Sequence, residues 1–157
     1  MTMVERLLWL ADDLSRRSAE LKSAAMERRA VSTAYYAVFH ALASVCAEEL
    51  LGVDGVTKKT NEYERVYRAL DHGSLKTAFK SAPLKDLEQV KAVGERVVEL
   101  QSERIRSDYL PSGRLYKKSE CARLVRSATS SVEMIAQLSA NDRRTLAVYL
   151  IFKNRPQ

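Results

Sequence analysis

Residues 24–51, AAMERRAVSTAYYAVFHALASVCAEELL, decide the fold class of this chain. Apolar side chains recur in this segment every three or four residues, which places them on one face of an α-helix. Glycine commonly ends a helix because it adopts left-handed backbone angles without strain, and Gly52 follows directly. The segment therefore predicts one long helix with a continuous buried face. The residues of this face are Val31, Ala34, Tyr35, Val38, Leu42 and Val45.

The same spacing recurs on both sides of this segment and predicts further helices. They cover about residues 3–22, 61–71, 83–108, 119–138 and 141–151, with a loop at 74–83. Gly73 is expected to stop the third helix, Ser119 to cap the fifth and Asn141 to cap the last. No window alternates polar and apolar residues as a half-buried strand does. The sequence predicts an all-α, antiparallel helical bundle of five to six helices.

Composition fits one soluble domain, which we expect to cover residues 1–157. The chain has 46% apolar and 29% charged residues, and only 5 Gly and 3 Pro interrupt its helical pattern. Cys46 and Cys121 stand far apart in the sequence, so we expect two buried thiols rather than a disulfide framework. Neither a glycine-rich phosphate loop nor a clustered Cys/His set is present. We therefore expect no metal and no cofactor.

The N-terminal segment MTMVERLLWLADDLSRR carries acidic residues within its short apolar run, unlike a signal peptide. We take charged residues to interrupt every apolar stretch before the roughly 18 residues that a membrane span requires. The sequence thus predicts a cytoplasmic protein without a membrane partner.

Positive charge is concentrated in one part of the chain. The formal net charge is +6, and residues 104–126 hold seven basic residues against two acidic ones. Such a block predicts a surface for a polyanion, and Tyr109 or Tyr116 could stack on nucleic-acid bases. A solvated basic surface without a ligand is the alternative. The seven basic residues are Arg104, Arg106, Arg114, Lys117, Lys118, Arg123 and Arg126.

A polar line accompanies the apolar face of the 24–51 helix. Arg29, Thr33, Tyr36 and His40 fall within about 60° of one another on a helical wheel. These four side chains could face one cleft. Alternatively, Tyr36 and His40 could lie at the edge of the core, with their polar groups paired with a neighbouring helix.

Arg104 and Asp108 have the i,i+4 spacing of a surface ion pair. Alternatively they face the Tyr36–His40 line, where Asp108 would orient His40 or Arg104. The ring of Tyr109 would then cover the end of the helix.

Three segments resemble the HEPN-domain family. Residues 27–52, ERRAVSTAYYAVFHALASVCAEELLG, resemble the signature helix of these proteins. ERIRSDYL at 103–110 resembles an element near the end of a later helix, with Ser107 where alanine is usual. NDRRTLAVYLIFKNR at 141–155 resembles the closing helix of one bacterial subgroup.

This resemblance implies a dimeric helical bundle that binds or cleaves RNA without metal. Some members are toxins beside a nucleotidyltransferase-like antitoxin. Nuclease members carry an arginine followed, after four to six residues, by a histidine. The histidine shuttles a proton during attack by the ribose 2′-hydroxyl, and the arginine stabilises the phosphorane charge.

The only match to that spacing is Arg65 with His72, which we expect at the end of the third helix. The alternative is that His72 only interacts with the helix C-terminus. His40 with Arg29 in support is the second candidate pair. No histidine follows the Arg104–Tyr109 element, so we expect cleavage to be weak or absent.

The sequence therefore predicts a HEPN-like dimeric RNA-associated domain. A ribonuclease toxin and a non-catalytic protein-interaction module are the alternatives. The homodimer is expected to bury aromatic side chains such as Trp9, Tyr36 and Phe39 between subunits. The candidate RNA-binding residues are Arg29, Tyr36, Arg104, Arg106, Asp108, Tyr109, Arg114, Lys117 and Lys118.

Overall fold

The computed structural model describes residues 1–111, 113–117 and 119–153. Within these ranges the chain is helical and has no strand, which confirms the predicted fold class. Three short 3₁₀ turns join the helices at Thr57–Lys59, His72–Ser74 and Leu84–Asp86. The described α-helices are α1 (Met3–Leu21), α2 (Ala24–Leu51), α3 (Asn61–Tyr67), α4 (Leu75–Phe79), α5 (Glu88–Tyr109), α6 (Glu120–Ala136) and α7 (Ala140–Ile151).

The first two helices follow the sequence closely. Thr2 and Glu5 form a capping box at the start of α1, which satisfies backbone N–H groups that the first turn leaves unpaired. Gly52 ends α2 with a φ of 108°, and its N–H donates to the carbonyl of Glu48 at 2.8 Å. The predicted apolar face of α2 is buried throughout. The prediction for this helix is confirmed.

The segment between α2 and α5 is more broken than predicted. α3 ends at Tyr67 rather than near residue 71, so Gly73 does not stop it. Leu70 beyond its end is still buried, which is why the apolar spacing continued past the helix. α4 occupies the predicted loop, and α5 begins at Glu88 rather than at Pro83. The additional short helix brings the described total above the predicted five to six.

The predicted cap of the last helix is corrected, whereas the cap at Ser119 stays a prediction. The hydroxyl of Ser139, not Asn141, caps α7 by accepting from the N–H of Asp142 at 3.1 Å. Ser119 directly precedes α6, and its carbonyl accepts from the N–H of Arg123 at 2.9 Å, although its φ of 79° lies outside the extended region that N-caps normally adopt.

Contacts within the chain define two compact units. The first unit comprises Met1–His40 and Arg96–Glu133, and its core includes Val31, Tyr35 and Leu124. The second comprises Ala41–Glu95 and Met134–Gln157. Its core includes Leu42, Leu75 and Leu146. That the whole chain forms a single domain stays a prediction.

Among the described helices, α2 alone is long and apolar enough to cross a membrane by length and composition. No charged residue lies between Ala30 and Ala47, so the expectation that charges interrupt every apolar stretch is wrong here. In the structure 83% of the most apolar 18-residue window of α2 is buried. The core helix of a soluble protein has the same properties.

Candidate functional site

The first unit contains a polar cluster where α5 packs against α2. The guanidinium carbon of Arg104 lies 5.4 Å from the ring centroid of Tyr35 and 5.4 Å from that of Tyr36. Tyr35 is fully buried, and the Arg104 side chain is only 13% exposed. A desolvated guanidinium over aromatic faces is held by cation–π attraction. Two of the segments that resemble HEPN proteins therefore contact each other.

Asp108 supplies the counter-charge one helical turn after Arg104. Its Oδ2 lies 3.6 Å from Nε of Arg104, which is an ion pair but too long for a hydrogen bond. The Nε of Arg104 is buried and has no hydrogen-bond partner. Arg104 of this pair faces Tyr36, as one of the two sequence interpretations proposed, and the long ion pair with Asp108 orients it only weakly.

Arg28 fixes the relative direction of α2 and α5 in this unit. It donates hydrogen bonds to the carbonyls of Leu110, at 2.6 Å, and Pro111, at 3.2 Å. Because Arg28 meets the end of α5 and Tyr36 meets Arg104, the two helices run antiparallel here. This confirms the antiparallel packing predicted for the bundle, at this pair of helices.

Tyr116, which the sequence analysis proposed for stacking on RNA bases, instead attaches the segment after α5 to that helix. Tyr116 is 4% exposed, forms a short hydrogen bond with the hydroxyl of Ser107, and donates to the carbonyl of Glu103 at 3.3 Å. Burial raises the pKa of Tyr116 to about 12. Tyr116 is therefore not available to stack on a base, and that prediction is wrong.

Tyr109 has the opposite environment. It is the last residue of α5 and is 73% exposed, so it does not plug the helix end as predicted. Tyr116, not Tyr109, is the tyrosine that is buried against the last turns of α5. Ser107, which replaces the usual alanine, was the sequence signal for it, because its hydroxyl is the partner of the buried phenol.

Acidic residues neutralise much of the basic block. Arg106 pairs with Glu103 at 2.9 Å and Arg114 with Glu27 at 3.5 Å. Arg123 contacts two carboxylates, those of Glu99 at 2.6 Å and Glu120 at 2.7 Å. Most of these acids lie outside residues 104–126 in the sequence, so a count of charge along the chain missed them.

Among the basic residues proposed for RNA binding or counted in the basic block, three exposed and described ones take part in no ion pair. They are Arg29, Lys117 and Arg126. Lys118, the remaining basic residue proposed for RNA binding, lies outside the described residues.

Arg29 and His40 do not converge. Arg29 is exposed near the start of α2, and His40 lies eleven residues further along the same helix. At 1.5 Å per residue the separation along the axis is about 16 Å, more than one phosphate group can bridge. His40 is partly buried, burial lowers its pKa, and its ring packs edge-on against Phe39 with centroids 6.2 Å apart. Arg29 therefore does not lie beside His40 to support it in catalysis.

The Arg65–His72 pair does not share a helix. α3 ends at Tyr67, and His72 begins a separate 3₁₀ turn, so the expectation that His72 ends the third helix is wrong. Arg65 lines an open groove of about 760 Å³ together with other residues of α3 and with Arg68 and Ala69 just beyond its end, and His72 is not part of its wall. Helical spacing therefore does not place Arg65 and His72 together near one helix end.

The two cysteines are buried, as predicted. Burial raises the pKa of Cys46 to about 12, so its thiol is protonated and unreactive at neutral pH. In residues 1–111, 113–117 and 119–153, no group of three or more His, Cys, Asp or Glu side chains could hold a metal ion.

Comparison with known proteins gives no match: no protein-family model, curated protein or solved structure is significantly similar to this chain. The HEPN resemblance therefore depends on the three sequence segments alone.

Proposed function

We propose that this chain is a HEPN-like, RNA-associated helical domain that binds RNA as a homodimer and cleaves it weakly or not at all. The contact of Arg104 with Tyr35 and Tyr36 carries the proposal. It joins residues 27–52 and 103–110, the two segments whose resemblance to HEPN proteins was noted independently.

Exposed groups of the first unit support RNA as the partner. Arg29, Lys117 and Arg126 are cations without an ion pair among the described residues. Tyr109, 73% exposed, offers a ring face on which an unpaired base can stack. Phosphate-binding cations together with an exposed aromatic ring are typical of surfaces for single-stranded RNA.

The arrangement of the histidines supports weak or absent cleavage. His40 lies about 16 Å along α2 from Arg29, and His72 lies on a turn rather than on the helix of Arg65. In-line attack by a ribose hydroxyl requires a base and a charge stabiliser at the same phosphate. Neither sequence-predicted pair meets this requirement through a shared helix face.

Binding of labelled single-stranded RNA, measured by fluorescence anisotropy in metal-free buffer over a range of KCl concentrations, tests the proposal. We expect the logarithm of the association constant to fall against the logarithm of salt concentration with a slope of about −2, for three phosphate contacts. Lys117→Gln and Arg126→Gln should each weaken binding. Arg123→Gln is the matched control, because two carboxylates already neutralise Arg123. No binding at low salt would contradict the proposal.

A cleavage assay on the same RNA tests the proposal that the protein cleaves RNA weakly or not at all. Wild type, His40→Ala and His72→Ala should all leave the RNA intact. Robust metal-free cleavage by wild type that either substitution abolishes would instead favour the ribonuclease toxin. Such a toxin could have a nucleotidyltransferase-like antitoxin as its partner.

A protein-interaction module is the second candidate function. Trp9 is 59% exposed on α1, where Met3 and Leu10 are exposed as well. Exposed apolar side chains of this size favour contact with another protein. Binding through this surface would change little with salt, which separates it from phosphate-dependent RNA binding.

A further inference from the structure

We propose that α1 is the surface through which two copies of this chain associate, packed antiparallel so that an exposed apolar stripe on each α1 covers the stripe on the other. The inference rests on the homodimer of the proposed function and identifies the residues and the register of its contact. None of the three segments that resemble HEPN proteins includes α1, so the argument comes from α1 itself.

α1 has two faces on which apolar or small side chains recur. One face is buried within the chain and includes Ala11, Ser15 and Ser18, spaced by four and three residues. The other face lies one residue earlier in the sequence at each step, which rotates it by about 100° around the helix. We name this second face the α1 stripe. It consists of Met3, Leu7, Leu10 and Leu14.

The α1 stripe is open to solvent along much of its length. Met3 is 59% exposed and Leu10 is 40% exposed, whereas Ala11 on the other face is completely buried. The residues of the stripe alternate between spacings of four and three, which is the spacing of the core positions of a two-stranded coiled coil. This pattern fits a second helix with the same spacing.

Charged residues beside the α1 stripe identify that helix as another α1. Arg6 and Asp13 flank the stripe on the same side, since they are seven residues apart in the sequence. Arg6 forms no ion pair among the described residues. The carboxylate of Asp13 lies 3.7 Å from Arg16 and 3.8 Å from Arg17, too far for hydrogen bonds. When two copies pack antiparallel, Arg6 of each meets Asp13 of the other.

The same register pairs every residue of the α1 stripe with an apolar residue. Met3 packs against Leu14 of the other copy, and Leu7 packs against Leu10 of the other copy. Each contact occurs twice, because a two-fold axis relates the copies. The contact covers a short stretch of helix, which is at the small end of the sizes known for specific interfaces. We therefore expect a dissociation constant in the micromolar range.

Other arrangements are disfavoured by Arg17, which continues the spacing of the stripe and has a side chain that is 56% exposed. A shift by seven residues in one direction places Arg17 against Leu7, and a shift in the other direction uncovers Leu10 and Leu14. A parallel pair in register sets Arg17 against Arg17 of the other copy. Burial of a guanidinium against an apolar side chain or a like charge costs free energy.

Trp9 lies outside this contact. It is about 130° around the helix from the centre of the α1 stripe. The sequence analysis expected Trp9 between subunits, so the two expectations are tested by different substitutions.

The first experiment compares Leu10→Glu with Trp9→Glu by sedimentation equilibrium. Both substitutions introduce one carboxylate on α1 at a solvent-exposed apolar residue. Leu10→Glu should raise the dissociation constant of the dimer by about 30-fold or more, because each copy then buries a carboxylate against leucine. Trp9→Glu should change it by about threefold or less. Equal or reversed effects would overturn the α1 surface.

The second experiment reverses the flanking charges, at low ionic strength where ion pairs are least screened. Arg6→Glu and Asp13→Arg should each raise the dissociation constant by about 5- to 20-fold, because both ion pairs become like-charge contacts. Arg16→Glu is the control for Arg6→Glu. It makes the same charge change away from the stripe and should have about a twofold effect or less.

A mixture of the two single variants gives the sharpest result. Mixed one to one, Arg6→Glu and Asp13→Arg chains carry opposite charges at both contacts, so they should form a heterodimer within about threefold of wild-type affinity. Native mass spectrometry separates this heterodimer from the two homodimers. A mixture that associates no better than its components would overturn the antiparallel register. Circular dichroism of each variant establishes that it is folded.

The outcomes separate this inference from the proposed function. A dimeric wild type that Leu10→Glu does not weaken would overturn the α1 surface and leave the homodimer intact. A wild type that is monomeric at every concentration would overturn both the homodimer and the α1 surface. RNA binding is measured separately, so its absence would refute the RNA function while a heterodimer in the mixture still supported the α1 contact.

Discussion

The guanidinium carbon of Arg104 lies 5.4 Å from the ring centroid of Tyr36, although the two residues belong to helices far apart in the sequence. Arg104 is thus both a buried cation and a packing element between α5 and α2. The contact links the fold of the first unit to its candidate site, because one side chain contributes to both.

Substitution of Arg104 should destabilise the protein more than substitution of an exposed arginine on the same helix. Arg104→Ala removes the contacts with two rings and leaves Asp108 without its partner, which should lower the free energy of unfolding by about 2 kcal/mol. Arg106→Ala, whose side chain is 48% exposed, should cost less than about 1 kcal/mol. Urea denaturation measures both, and equal losses would show that the packing of Arg104 adds nothing.

Tyr116 should make stability depend on alkaline pH. Its folded-state pKa of about 12 exceeds the ordinary value of 10.0, so the unfolded chain loses this proton first as pH rises. The stabilisation is complete below about pH 10 and is lost between about pH 10 and 12, by up to about 1.4 kcal/mol per pH unit.

Tyr116→Phe should be less stable at pH 8 by about 1–2 kcal/mol, because the hydrogen bonds to Ser107 and Glu103 are lost. It should also lose stability less steeply than wild type above pH 10. Urea unfolding at pH 8, 10 and 11 compares the two proteins. Parallel pH profiles would contradict the role assigned to the phenol.

Gly94 should resist substitution because of close packing in the second unit. A Cβ atom at this position would lie 2.6 Å from Cδ1 of Phe79, whose ring is buried. Gly94→Ala should therefore cost about 1–3 kcal/mol, although alanine favours a helix. Gly55 has no atom within 4 Å of such a Cβ, so Gly55→Ala is the control and should change stability by less than about 0.5 kcal/mol. Equal effects in chemical denaturation would argue against the contact with Phe79.

The homodimer prediction is tested by light scattering coupled to size-exclusion chromatography. We expect about twice the 17.7 kDa mass of one chain at micromolar concentrations. Trp9→Glu should shift the population to monomer if Trp9 is buried between subunits. Phe152→Glu is the control, since Phe152 is equally exposed, at 60% against 59%, but lies in the second unit. A monomeric wild type would refute the prediction.

The helix boundaries show which features of the fold local sequence patterns can predict. α2 was predicted well because Gly52, its expected stop, has a positive φ directly after the apolar pattern. α1 ends within a residue of its predicted end, where Lys22 adopts left-handed angles. α3 was extended too far because Leu70 is buried outside the helix. Periodicity reports which side chains are buried, and a turn can bury a leucine as well as a helix can.

The candidate site was predicted in part. Tyr36, Arg104 and Asp108 were singled out, and they lie together. Base stacking was offered to either Tyr109 or Tyr116, and only Tyr109 is exposed. The sequence did not distinguish the two tyrosines, because the partner that buries Tyr116, Ser107, is brought to it by folding.

The sequence by itself determined the all-helical fold and the buried face of α2, because both follow from spacing along a single helix. It also contained the pairing of Arg104 with Asp108, whose i,i+4 spacing is local. Only the tertiary structure decided that Arg104 packs on Tyr35 and Tyr36, and that Glu27 and Glu99 neutralise basic residues of another segment. These relationships join side chains from different helices, and which helix faces meet is set by packing of the whole core, which no local pattern encodes.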